Sequence, residues 1–166
     1  MIKFAPCYPR LIGLLMSKLQ FRTQKFVTLN VHELYSLLRL RSQVFVVEQE
    51  CIYQDIDDFD LDAIHVCGHN DGEIVAYSRL LAPGIKYVGS SIGRVLTKQT
   101  TRGTGLGKAL LKESIVQCQQ EWPEADISLS AQKYLEKFYS SFGFETESAA
   151  YMEDGMPHIQ MTKKSF

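Results

Sequence analysis

The run Thr101-Arg102-Gly103-Thr104-Gly105-Leu106-Gly107-Lys108 lies between a strand-like and a helix-like segment, and its reading decides the fold. Glycine has no Cβ to hold a ligand away and adopts positive φ freely, and the first amides of a helix lack an intrahelical acceptor. Three glycines at such a junction suit an anion, phosphate above all. Two phosphate motifs fail on their own chemistry. A Walker loop puts Arg102 where its first glycine belongs and Ala109 where a magnesium-binding hydroxyl belongs. A dinucleotide fingerprint puts Lys108 at its third glycine. What remains is Arg102-x-x-Gly105-x-Gly107, against the alternative of a glycine-rich turn that binds nothing.

Upstream, Asn30 and Glu33 form a capping-box pattern, and Val31, Leu34, Tyr35 and Leu38 recur at helical spacing, with Leu37 and Val44 nearby. The periodicity fades through Phe45 to Glu50. Strand-like segments at Ile64 to His69 and Glu73 to Leu81 flank Asn70-Asp71-Gly72, a hairpin signal, and a third runs from Ser91 to Thr97. Past the glycine loop, Leu110, Leu111, Ile115, Cys118 and Trp122 make a helical stripe that Pro123 ends, and Asp126 to Ala131 is strand-like. This strand, helix, strand unit implies a parallel pair. A helix from Lys133 to Phe142 stops at Gly143, and Phe144 to Thr146 and His158 to Thr162 supply final strands joined by Asp154-Gly155-Met156-Pro157. The fold class is α+β with a mixed sheet.

The chain has 166 residues, enough for one domain with a real core. A net charge of −1 gives no sign of nucleic-acid binding or of attachment to an anionic membrane. Cys7, Cys51, Cys67 and Cys118 form no CxxC pair, which suggests neither a zinc site nor a disulfide framework but reduced, cytoplasmic thiols. No apolar run is long enough to span a bilayer. Lys3 and Arg10 flank a short apolar run, Leu11 to Met16, that lacks a cleavage site, so residues 1–22 read as an extension and Met16 as a second candidate start. Five aspartates between Asp55 and Asp62 fail as a calcium loop, with Ala63 where glycine and His69 where glutamate is needed. They read as a solvated acidic loop, or alternatively as one that attracts a cationic substrate.

The order of elements, the Arg102-x-x-Gly105-x-Gly107 loop and the later Phe138-Tyr139-Ser140-Ser141-Phe142-Gly143-Phe144 together resemble the GNAT superfamily of acyl-CoA-dependent N-acetyltransferases. Leu40 to Gln49, Tyr53 to Asp57, Ile92 to Val95 and Tyr151 to Ile159 narrow the resemblance to its ElaA-like branch. It implies a single GNAT-like domain over residues 23–166, with a mixed, mostly antiparallel sheet of six to seven strands flanked by helices. It implies acetyl-CoA as cosubstrate, no metal, and a small-molecule or peptide amine as acceptor. Dimers are frequent in the superfamily, so a homodimer is an open partner.

By the same resemblance, backbone groups of Val95, Leu96 and Thr97 hold the pantetheine arm. Amides across Arg102, Gly103, Thr104, Gly105, Leu106, Gly107 and Lys108 take the pyrophosphate, helped by the helix dipole. Tyr139 matches the family tyrosine that protonates or positions the departing sulfur. A free thiol has a pKa of about 8.5, so such an acid contributes modestly. The amine is the harder problem, because a lysine-like amine with pKa about 10.4 is almost wholly protonated at neutral pH. Glu48, His65, His158 and Asp55 to Asp58 are the candidate groups on the acceptor side, and Glu48 is the base expected from its place in Phe-Val-Val-Glu-Gln. A non-catalytic acyl-CoA-binding sensor is the alternative function.

Overall fold

Asn30 Oδ1 accepts from the Glu33 amide at 2.9 Å, and Glu33 Oε2 accepts from the Asn30 amide at 3.1 Å. This closed capping box starts α1 (Val31–Arg41) in the computed structural model, which describes residues 18–165. The helix buries Leu37, Leu40 and Arg41, while Val31 and Tyr35 are exposed. The buried face is therefore rotated from the stripe expected. The reason is the continuation: α1 runs into a π-helical segment, Ser42–Glu48, which buries Val44 in line with Leu37 and Leu40. Such wide turns are uncommon and often lie at functional sites.

Eight strands form one sheet among the described residues, in the order β1-β2-β3-β4-β5-β8-β6, with β7 on β8. They are β1 (Gln20–Lys25), β2 (Ile64–Asn70), β3 (Glu73–Leu81), β4 (Ser90–Thr97), β5 (Ile127–Gln132), β6 (Glu145–Thr146), β7 (Tyr151–Glu153) and β8 (Met156–Lys163). The sheet exceeds the six to seven strands expected by a small margin. β1 is polar along much of its length and carries no strong strand signal; it begins at Gln20, inside the segment read as an extension. The signal-like run and Met16 lie outside the described residues.

Asp71 (φ 50°) and Gly72 (φ 82°) make the two-residue turn between β2 and β3, and Asp154 (φ 49°) and Gly155 (φ 79°) repeat it between β7 and β8. Positive φ at both central positions matches the right-handed strand twist, which is why Asp-Gly serves here. The second Asp-Gly was the available signal for β7.

α2 (Leu106–Glu121) connects the parallel pair β4 and β5. Its Leu106, Leu110, Leu111, Ile115 and Cys118 pack on one face of the sheet, against Val66, Ala76, Leu80, Ile92, Leu129 and Ile159. α1 and the π-helical segment cover the other face with Leu37, Leu40 and Val44 against Cys67, Tyr77 and Leu96. Each fully buried leucine of this kind contributes about 1.5 to 3 kcal/mol of transfer free energy. The helix expected over Lys133 to Phe142 is shorter: a 3-10 turn, Lys133–Leu135, precedes α3 (Glu136–Ser140), and Gly143 at φ 85° terminates the segment.

Candidate active site

β4 and β5 pair only at Ser90 with Ile127 and Ser91 with Ser128. Beyond that point the strands separate, so the inner edge of β4 has no strand partner. β4 also bulges: Tyr77 pairs with Leu96 and Arg79 with Gly93, so β4 carries one residue more than β3 over this stretch, and Arg94 sits at φ 51°. The gap opens a cleft of about 570 Å³, lined on one side by Gly93 to Thr97 and on the other by Ser130 and Gln132. A second depression, of about 740 Å³, lies where β4 and β5 are still paired. Its Lys164 is tied to Asp126 at 3.0 Å, and none of the site residues expected from sequence lines it.

One end of the cleft meets the glycine loop. Gly103 (φ 76°) and Gly105 (φ 90°) take conformations that disfavour a side chain, and Gly105 caps α2 with no side-chain hydrogen bond. The Leu106 and Gly107 amides are thus left for a ligand, whereas the Lys108 amide donates to the Gly105 carbonyl at 3.0 Å and the Arg102 amide to the Gln99 carbonyl at 3.2 Å. A Cβ on Gly107 would meet only Thr97 Cγ2, at 3.9 Å, so nothing inside the protein demands glycine there. These features fit a phosphate cradle. Val95, Leu96, Thr97, Arg102 and Gly107 line the cleft. Gly103, Thr104, Gly105, Leu106 and Lys108 form the adjoining loop and helix start, with the Leu106 side chain buried in the core and Lys108 exposed.

Glu48, at the end of the π-helical segment, lines the cleft, but its Oε1 is ion-paired with Arg102 Nη1, and Arg102 Nη2 also donates to the Thr97 carbonyl at 3.3 Å. The carboxylate is engaged at the glycine-loop end rather than aimed freely at the acceptor side.

Tyr139, on α3, lines the cleft and is buried against Phe138 and Phe144, whose ring centroids lie 5.1 and 6.0 Å away. Burial raises its pKa, so the hydroxyl keeps its proton. No described residue hydrogen-bonds that hydroxyl, which leaves it free to donate to a ligand.

The far end of the cleft carries Cys51, Tyr53, Arg94, Glu153, Asp154 and His158. Cys51 Sγ donates to the Asp154 carbonyl at 3.3 Å, joining the loop after α1 to the β7–β8 turn. Ser130, Tyr151 and Glu153 are hydrogen-bonded together here, a group that sequence reasoning missed.

In the acidic stretch Asp55 and Asp60 are buried and Asp57 is half-buried, all three held by arginines. Arg41, wholly buried, donates to Asp55 Oδ2 at 2.9 Å and to Asp60 Oδ1 at 2.7 Å. Arg79 pairs with Asp57 and with Asp60 Oδ1, the latter at 2.7 Å, and Arg94 reaches Asp55 Oδ1 at 2.7 Å. Burial works against the Asp60 carboxylate, but the bonds and charge of Arg41 and Arg79 prevail and hold its pKa below the ordinary value. Asp58 and Asp62 alone among the five are exposed. His65 belongs to this network and not to the cleft. Its Nε2–H donates to the Asp60 carbonyl at 3.0 Å and its Nδ1 accepts from the Tyr77 hydroxyl at 2.8 Å.

The acetyltransferase (GNAT) domain family matches residues 29–165. ElaA of Escherichia coli K12 is 44% identical over 138 residues, spanning 82% of this chain and 90% of ElaA. The crystal structure of Escherichia coli ElaA superposes with a TM-score of 0.83 at 40% identity, covering 88% of this chain and 99% of that one. The crystal structure of an acyl-CoA N-acyltransferase from Pseudomonas aeruginosa superposes with a TM-score of 0.83 at 38% identity, covering 87% and 99%. These matches, together with a sheet that parts beside a glycine-capped helix, support acyl transfer as the general activity. The chain belongs to the GNAT acetyltransferase family, on its ElaA-like branch.

Proposed function

We propose that this protein transfers an acetyl group from acetyl-CoA to a primary amine, with both reactants held in one complex. The observation that carries the reading is the parting of β4 from β5 beside the glycine-capped start of α2, with Tyr139 lining the same cleft. Acetyl-CoA supplies an activated thioester. The edge of β4 from Val95 to Thr97 is suited to bond a peptide-like pantetheine arm, and the amides of the glycine loop are suited to a pyrophosphate. Glu48 holds Arg102 over that loop, where its ion pair gives it a positioning role. Tyr139 donates its proton to the departing sulfur or fixes the sulfur's place. Alignment of the amine with the carbonyl is the main work of such a site. Among the described residues Cys51, Cys67 and Cys118 are free thiols, which supports a reducing, cytoplasmic setting.

The test is thiol release from acetyl-CoA across a panel of primary amines, with calorimetry of acetyl-CoA binding alongside. Amine-dependent release supports the reading. Tight binding with no release from any amine overturns it in favour of a non-catalytic acyl-CoA sensor.

A further inference from the structure

The acceptor end of the cleft is one face of a three-stranded patch. Gln132 lies opposite His158 across β5 and β8, and Tyr151 lies opposite His158 across β7 and β8. Side chains alternate along a strand, so Ser130, Gln132, Tyr151, Glu153 and His158 share this face while Leu129, Ala131, Ile159 and Met161 fill the core behind it. The polar face is ordered by its own bonds. Ser130 Oγ donates to Glu153 Oε2 at 2.5 Å, and since a serine has one proton to give, the Tyr151 hydroxyl at 2.6 Å donates to Ser130. The chain of donors ends on a carboxylate whose Oε1 is hydrogen-bonded to no described residue.

His158 completes the face. It is 9% exposed, and its Nδ1 lies 2.9 Å from the Met156 carbonyl, which can only accept. The proton of the neutral ring is therefore fixed on Nδ1, and the lone pair is on Nε2. No described residue hydrogen-bonds Nε2, and His158 lines the cleft. The Tyr151 ring lies near-parallel beside the imidazole, with centroids 6.3 Å apart.

We infer that His158 is a further catalytic residue, its Nε2 taking a proton from the acceptor amine, and that Glu153 Oε1 seats that amine while it is still an ammonium. The inference rests on the acyl-transfer reading and deepens it by assigning the acceptor class: a primary amine that arrives as a cation. Becoming an amide costs the ammonium two protons. The first goes to His158 Nε2 and on to solvent. The second leaves as the C–N bond forms and the C–S bond breaks: it passes to His158 Nε2, neutral again by then, and on to solvent, while the sulfur takes the Tyr139 proton and solvent returns one to the tyrosinate. Glu48, engaged by Arg102, has no part in this path.

Two measurements on the full-length protein test it. Imidazole 15N NMR, with His158→Gln to assign the signal, reads the tautomer without any acceptor; the proton on Nδ1 is expected, and a proton on Nε2 overturns the assignment. Thiol release is then measured at one neutral pH with butylamine, which is almost wholly protonated, and with trifluoroethylamine, which is mostly neutral. His158→Gln is expected to slow butylamine about a hundredfold and trifluoroethylamine far less. Equal slowing of both overturns the proton-acceptor role while leaving acyl transfer in place. Glu153→Gln is expected to raise KM for butylamine and leave acetyl-CoA affinity unchanged by calorimetry; an unchanged KM removes the ammonium seat. If the wild-type protein releases no thiol with these or any other primary amine, acyl transfer itself falls, and this inference with it.

Discussion

Arg94 Nε donates to Asp55 Oδ1 at 2.7 Å, joining the bulge of β4 to a loop 39 residues earlier in the chain. The same loop is held by Arg41 from α1 and Arg79 from β3, so three elements grip the segment that directly follows Cys51 and Tyr53 of the cleft lining. Removing one partner of a buried pair leaves a charge without compensation. Asp60→Asn is therefore expected to cost about 3 to 5 kcal/mol in urea unfolding. Asp62→Asn, at an exposed neighbour, is expected to stay within about 0.5 kcal/mol. Equal, small effects would mean that the arginines do not depend on Asp60.

Stability is expected to fall with acid earlier than carboxylates alone require. Burial holds His65 below its ordinary pKa near 6.5. The unfolded chain then binds the proton more readily than the folded one. The contribution of His65 is whole above about pH 6.5 and drains as pH falls through that value. Asp60, also depressed, adds its loss only below its ordinary value near 3.8. Urea midpoints measured from about pH 7 to about pH 5 are expected to decline, and His65→Gln to flatten that limb. A decline of the same slope in the variant would assign it elsewhere.

Gly105 and Gly107 are expected to separate folding from binding. Gly105 is at φ 90°, so Gly105→Ala is expected to cost about 1 to 2 kcal/mol of stability. Gly107 lies in the first turn of α2 without that strain, and Gly107→Ala is expected to stabilise by up to about 1 kcal/mol. Gly107 lines the cleft, so on the proposed reading its new methyl group is expected to lower acetyl-CoA affinity even as thermal stability rises. Unchanged affinity by calorimetry would remove Gly107 from the cradle.

Tyr139→Phe removes one hydroxyl that no described residue bonds. Folding stability is expected to change little. Turnover is expected to drop about tenfold to a hundredfold with acetyl-CoA affinity nearly intact, the modest share left to a general acid when the leaving group is a thiolate. An unchanged kcat in steady-state kinetics would take Tyr139 out of the chemistry.

What the sequence disclosed was governed by local chemistry. The Asn30 box, the Asp71-Gly72 turn and the loop around Gly105 each follow from backbone geometry that few residue types satisfy, so a short window suffices to see them. The acidic loop was misread because its partners lie outside any such window. Arg41, Arg79 and Arg94 come from a helix and two strands, and nothing near Asp55 or Asp60 announces them. The same holds for Ser130 and Glu153, 23 residues apart and joined only by strand order. Tyr139 stood out through its flanking aromatic and glycine residues, whereas His158 needed the Met156 carbonyl to show which nitrogen is bare.

The parting of β4 from β5 gives the sheet an interior rim, a run of backbone that in most sheets another strand would cover. Rims of that kind invite foreign polypeptide as readily as a small molecule. A cosubstrate lying along Val95 to Thr97, as proposed, would act as a non-peptide strand and finish the architecture as well as enter the reaction. At one hundred times its dissociation constant it adds about 2.7 kcal/mol to the folded state. The amount of intact protein in a cell would then follow the local supply of its acyl donor, with folding itself serving as a gauge of metabolic state.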